Sequence, residues 1–287
     1  MTSNPHQHPS SDWCVNAERF TGFADVYEAY RPHPPEVLPG VLVQIAGGGR
    51  PKLVVDLGCG TGLSTRIWAG RADRAIGIDP SDDMLRQARA DACGRSDRRP
   101  PMTQATNVQY RRGLSHDTGL PDRCADVITC SQSLHWMEPA GTFAEAARVL
   151  RPGGVFAAYD CSWPPLTPAW QIDSEYRELM DRAAKLSVRH GLTRGLKQWR
   201  KEEHLARMRE SGRFRYVQEI FLHSIEMGNA ERLVGLALSQ GVVAGLLKIG
   251  LAESEIGIDA FRQSAANLLG DEPRTWFFSY RVRVGVV

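Results

Sequence analysis

A chain of 287 residues, 42% hydrophobic and 24% charged, supports one large domain or one domain with an insertion. Its formal charge of +2, with arginines scattered among acids, gives no field for a polyanion, so nucleic acid is not an expected partner. No run of eighteen apolar residues occurs and the opening MTSNPHQHPSS lacks an apolar core, so neither a membrane span nor a signal peptide is expected, and a cytoplasmic location is.

The six cysteines (14, 59, 93, 124, 130 and 161) form no C-x-x-C pair and read as reduced, and His6 and His8 read as tail residues rather than a metal site. Residues 12–29 carry an amphipathic helical pattern that stops before Tyr30-Arg31-Pro32. Pro35-Glu36 then opens a second helix that runs to Ala46. Lys52 to Leu57 is apolar and bounded by turn residues, as a buried parallel strand should be. Gly58, Gly60 and Gly62 follow, and Leu63 to Ala69 reads as helix. A second strand, Arg74 to Asp79, ends in an acid, and Ser81 to Ala92 is helical, with Met84 and Leu85 on its buried side.

Beyond a polar loop at 94–101, strands are predicted at 107–111, 126–130 and 155–159, with a helix from Ala140 to Leu150 before the last of them. This alternation describes a doubly wound α/β sheet. Residues 163–212 are helical, charged and dotted with aromatics. They read as an insertion after the fifth strand that would lie over the C-terminal strand edges as a lid, where open α/β sheets bind ligands. A strand at 214–225, helices at 230–247 and 253–269, and a strand at 276–284 complete the chain. The expected division is 1–50 cap, 51–162 cofactor-binding core, 163–212 lid and 213–287 remaining core.

The glycine turn and Asp79 together define an adenosine site. The glycines let backbone approach a ligand, and the acid, about twenty residues after the first glycine, can accept both ribose hydroxyls. The spacing is G-x-G-x-G rather than the dinucleotide G-x-G-x-x-G, and Asp56 at the strand tip would repel a pyrophosphate while suiting a cation or an ammonium group. This favours S-adenosylmethionine and leaves a nicotinamide cofactor as the alternative.

The segments VVDLGCGTG, GIDPSDDML, LPDRCADVITCSQSLHWM and RVLRPGGVFAAYD, in that order, resemble the class I S-adenosylmethionine-dependent methyltransferases, and within them the small-molecule group labelled methyltransferase type 11. The resemblance implies a Rossmann-like seven-stranded sheet with its last strand antiparallel. It places Asp56 near the methionine amino group, the turn Gly58, Cys59, Gly60, Thr61 and Gly62 under the cofactor, and Asp79 on the ribose. Pro80 and Met84 would lie beside the adenine, with Ser115, His116 and Ser131 completing the site.

Among acceptor-side residues it suggests Tyr30 of a Y-R-P element, Trp136 and Trp163 as cavity walls, and His135 as either a base or a holder of its loop. The implied reaction is methylation of a small, partly apolar acceptor, oxygen before carbon before nitrogen, by a monomer or homodimer. A cofactor-binding regulatory subunit without transfer activity is the second reading. No Asp-Asn-Pro-Pro-Tyr type motif follows the fourth strand, which speaks against nucleic-acid or glutamine-amide acceptors.

Overall fold

The computed structural model describes Gly22, residues 24–92 and residues 107–287. The expectations for residues 12–21, the loop at 94–101, Cys14, Cys93 and the two N-terminal histidines lie outside the described residues. Seven strands form one sheet: β1 (Leu53–Leu57), β2 (Arg74–Asp79), β3 (Val108–Arg112), β4 (Ala125–Ser131), β5 (Leu150–Cys161), β6 (Tyr216–Gly228) and β7 (Arg274–Val286). Their order is β3-β2-β1-β4-β5-β7-β6. The first five strands run parallel, and β7 lies antiparallel to both β5 and β6.

Helices cover both faces, so β1 is buried at every position and its side chains alternate between two cores. Val54 joins one core with Val127, Val155, Trp276 and the helix residues Leu42, Tyr176, Leu233 and Phe261. Leu53, Val55 and Leu57 join the other, where Phe143, Phe156 and Phe214 pack edge-on and stacked. The helices are α1 (Ala24–Tyr30), α2 (Leu38–Ile45), α3 (Leu63–Arg66), α4 (Asp82–Ala92), α5 (Pro139–Val149), α6 (Trp170–Arg189), α7 (His204–Glu210), α8 (Ala230–Leu238), α9 (Gly241–Lys248), α10 (Glu253–Ile256) and α11 (Ile258–Leu269). Glu138 caps α5 by accepting from the Ala140 and Gly141 N–H groups, with Pro139 in the first turn.

Several expectations need correction. The helix after the glycine turn is a single turn. The stretch at 230–247 is two helices bent by 71°, broken where the Ser239 carbonyl accepts from Arg31. The stretch at 253–269 breaks at Gly257, whose φ of +97° no regular helix accommodates. The insertion at 163–212 is split between the two faces. Its long helix α6 packs on α9, α10 and α11, while α7 packs on β6 and β7. Among the described residues no single helix is long and apolar enough to cross a membrane.

Candidate active site

The parallel strands end together at one edge of the sheet, and a cleft of about 1160 Å³, its open mouth included, lies there. Most of the residues singled out from the sequence meet in it. Gly58, Cys59, Gly60, Thr61, Asp79, Pro80, Met84, Ser115, His116, Ser131 and Trp136 all line the wall. A Cβ at Gly60 would project into open space, so the turn presents bare backbone to whatever fills the cleft. Gly58 is closed behind: a Cβ there would sit 2.6 Å from Met137 Cε and 2.7 Å from Ser133 Cβ.

Four of the turn's five N–H groups, all but that of Thr61, are already used. Gly58 N and Cys59 N donate to the Ile78 carbonyl at 2.7 and 3.2 Å, Gly62 N to the Cys59 carbonyl at 2.9 Å, and Gly60 N to Asp79 Oδ2 at 2.9 Å. A pyrophosphate would meet a carboxylate here instead of free donors. Asp79 also accepts from Ser81 N at 2.8 Å, leaving lone pairs on both oxygens for ligand hydroxyls. Burial raises its pKa to about 6, against the pull of the two backbone N–H bonds. Burial likewise pushes the Cys59 thiol up, so it lines the cleft as a neutral, inert group.

Asp56 is not in the wall. It lies one layer below, accepting from Thr65 Oγ1 at 2.7 Å, Thr129 Oγ1 at 2.8 Å and Ser64 Oγ at 3.4 Å. Burial raises its pKa to about 6, and those three hydroxyls hold it from going higher. Ser64 does line the cleft and also bonds Tyr159, so Ser64 stands between Asp56 and the cleft. Gly62 starts α3 with φ +85° and backs onto Tyr110, also outside the wall.

Three acceptor-side expectations change. Tyr30 points out of the cleft, its ring against Gly235 and its hydroxyl 3.3 Å from Glu231. The same helical end instead presents Tyr27 and Arg31, followed by Pro32 and Pro34. Trp163 sits one shell back, over the Arg31 guanidinium at 4.9 Å and donating to Gln132 Oε1 at 3.4 Å. No residue of 163–212 lines the cleft, so the roof belongs to the N-terminal segment and to Tyr280 of β7 rather than to the insertion.

His135 turns away as well. Its Nδ1 lies 3.8 Å from Asp160 Oδ1, and Asp160 is held by Lys201 at 3.0 Å and Arg283 at 2.7 Å. The His135 carbonyl accepts from Trp199 N at 2.9 Å. Burial, with Lys201 nearby, drives its pKa well below the usual range, so the ring is neutral and faces a polar cluster behind the loop rather than the cleft. Residues missed from the sequence include Tyr27, Arg31, Ser64, Gln132, Met137, Glu138 and Tyr280, which flank a motif that was noticed or come from a distant strand. Among the described residues no cluster of three metal-ligating side chains exists.

A doubly wound sheet with a cleft at its carboxyl edge, walled by a glycine turn and a strand-end carboxylate, is the class these features define. The methyltransferase domain model matches residues 55–158. An uncharacterized methyltransferase of Synechocystis is 32% identical over 162 residues, 50% of this chain and 70% of that one. One from Mycobacterium tuberculosis is 34% identical over 136 residues, 47% of this chain and 49% of its own length. A solved structure from Anaeromyxobacter dehalogenans, a proposed type II methyltransferase, superposes with a TM-score of 0.59 at 24% identity, covering 90% of this chain and 98% of that one. The chain belongs to the class I S-adenosylmethionine-dependent methyltransferases, in the group of the type 11 methyltransferase domain, and its cofactor is S-adenosylmethionine. It spans about half the length of the first curated relatives it matches.

Proposed function

We propose that this chain transfers the methyl group of S-adenosylmethionine to a small, partly apolar acceptor, with oxygen preferred over carbon or nitrogen. The observation that carries the cofactor end is the turn whose three glycine N–H groups are spent internally, beside an Asp79 carboxylate that keeps lone pairs for the cleft. Asp79 would hold the ribose hydroxyls, Pro80 and Met84 the adenine face, and Ser64, braced by Asp56, the amino-acid end. The bound cofactor supplies an already activated sulfonium methyl, so the protein's task is alignment and exclusion of water.

The remaining wall supports the acceptor class. Tyr27, Pro32, Pro34, Trp136, Met137 and Tyr280 are apolar or aromatic, and such a surface favours a transition state in which charge disperses. We assign His135 to holding its loop. With no imidazole base aimed from that position, an acceptor oxygen that is acidic in its own right fits best. Calorimetry with S-adenosylhomocysteine should show one site in the low-micromolar range, roughly −7 to −8 kcal/mol. Tighter binding of a nicotinamide dinucleotide would overturn the reading.

A further inference from the structure

Arg31 is a buried cation with no counter-ion among the described residues. It is 7% exposed, yet it lines the cleft. Its Nη2 donates to the Ser239 carbonyl at 2.8 Å and to Gln240 Oε1 at 3.1 Å, both neutral acceptors. Its Nε is buried and makes no hydrogen bond. Its faces are covered by the rings of Tyr27 and Trp163, at 4.7 and 4.9 Å, which fixes the plane of the guanidinium. No carboxylate among the described residues forms an ion pair with it. A charge taken out of water without a partner is costly, and proteins keep one in a ligand cleft where an incoming anion completes it.

Its place along the sheet says which ligand brings that anion. The glycine turn stands at the end of β1 and Asp79 at the end of β2, so the adenosine lies over that flank. Arg31 stands by Trp163, just past β5, and shares the cleft wall with Tyr280, which pairs with Cys161 in β5. With strands about 4.8 Å apart, β5 lies about 10 Å from β1, away from the ribose. We propose that Arg31 is the anchor for a carboxylate or similar compact oxyanion on the acceptor, so that the substrate is an apolar body with one anionic head. This rests on the methyltransferase reading for the identity of the neighbouring ligand. The unpaired guanidinium itself does not depend on it.

The probe is benzoate against its neutral counterpart benzamide, titrated calorimetrically into protein saturated with S-adenosylhomocysteine. Wild type should prefer benzoate by at least about tenfold, as expected of a charge-assisted pair. R31M should abolish that preference, and R31K, which keeps the charge without the fork, should retain part of it. Melting curves of both variants in S-adenosylhomocysteine identify any loss that comes from unfolding, and R31K carries the test if R31M unfolds. Equal binding of the two probes by wild type, or an unchanged preference in R31M, would overturn the proposal. So would R31M weakening S-adenosylhomocysteine about tenfold while sparing 5′-methylthioadenosine, because Arg31 would then serve the cofactor's own carboxylate. Failure of wild type to bind S-adenosylhomocysteine would instead strike the methyltransferase reading, and the benzoate preference could still be measured on the free protein.

Discussion

At the scale of single residues, Asp79 has two duties: its carboxylate clamps the turn through Gly60 and Ser81, and it offers its remaining lone pairs to the cleft. Asp79→Ala should weaken S-adenosylhomocysteine at least about tenfold in calorimetry, since hydrogen bonds to a charged acceptor are lost. Because its pKa stands at about 6, the empty site is partly protonated at that pH. Ligand hydroxyls favour the carboxylate, so binding at pH 6 should release a proton, and affinity should fall as pH drops below about 6. Titrations in buffers of different ionisation enthalpy read the proton directly, and an enthalpy independent of buffer would contradict it. His135 gives the opposite expectation. His135→Gln should lower turnover less than about tenfold and leave cofactor affinity unchanged, whereas loss of a true base costs about 10²-fold or more. The Q-S-L-H-W run was legible as pocket-forming, but not which of its side chains enters the pocket. Consecutive residues of the short 3₁₀ turn Leu134–Trp136 point in different directions, and the turn's rotation is set by Trp199, Lys201 and Asp160, far off in sequence.

At the scale of elements, the strands and the glycine turn were readable because their burial is local and periodic. β1 and β2 begin and end within a residue of the sequence expectation. The cap helix was readable as a helix but not in its facing: Tyr30 and Arg31 are adjacent, and a step of one residue turns the helix by about 100°. What decides the facing is α8, whose Gly235 leaves a flat seat for the Tyr30 ring, and the Ser239 carbonyl that receives Arg31. The insertion was misplaced as a lid for a related reason, since α6 buries Ile172, Tyr176 and Leu179 against helices that follow it in the chain. α1 is fastened to the cofactor side by a buried ion pair of Glu28 with Arg66. Glu28→Ala leaves Arg66 with only the Thr61 carbonyl at 2.6 Å and the longer 4.0 Å contact to Asp91, and removing one partner of such a pair costs up to about 3 kcal/mol. A melting temperature within about 2 °C of wild type would show the pair to be dispensable.

At the scale of the whole molecule, acidic groups pull stability in two directions. Asp56 and Asp79 have folded pKa values raised from 3.8 to about 6, so their contribution is fully present below pH 3.8 and is lost as pH rises through 6. Each such shift corresponds to about 3 kcal/mol. Asp160 runs the other way: burial pushes its pKa up, but Lys201 and Arg283 bring it below the usual carboxylate range, so its stabilisation disappears as pH falls. The free protein should therefore lose stability between about pH 4 and 6.5 where Asp56 and Asp79 ionise, and S-adenosylhomocysteine should raise its melting temperature more at pH 7.5 than at pH 5. Melting curves with and without ligand at the two pH values test this, and an equal ligand shift at both would refute it.

The sheet's order also sets a timetable. β5 and β6 never touch; β7, the last strand in the chain, fills the slot between them, and with it come Trp276, Phe278, Tyr280, Val282 and Val284 of the larger core. Until residues 274–286 arrive, β6 has no partner in the sheet and the outer edge of β5 stands open. A ribosome making this chain must hold the β5–β7 side of the cleft unfinished while the β1, β2 and β4 side can already assemble. Contacts of that sequence separation form slowly, which makes the newborn chain most exposed to strand-pairing errors at the moment its cofactor half is complete.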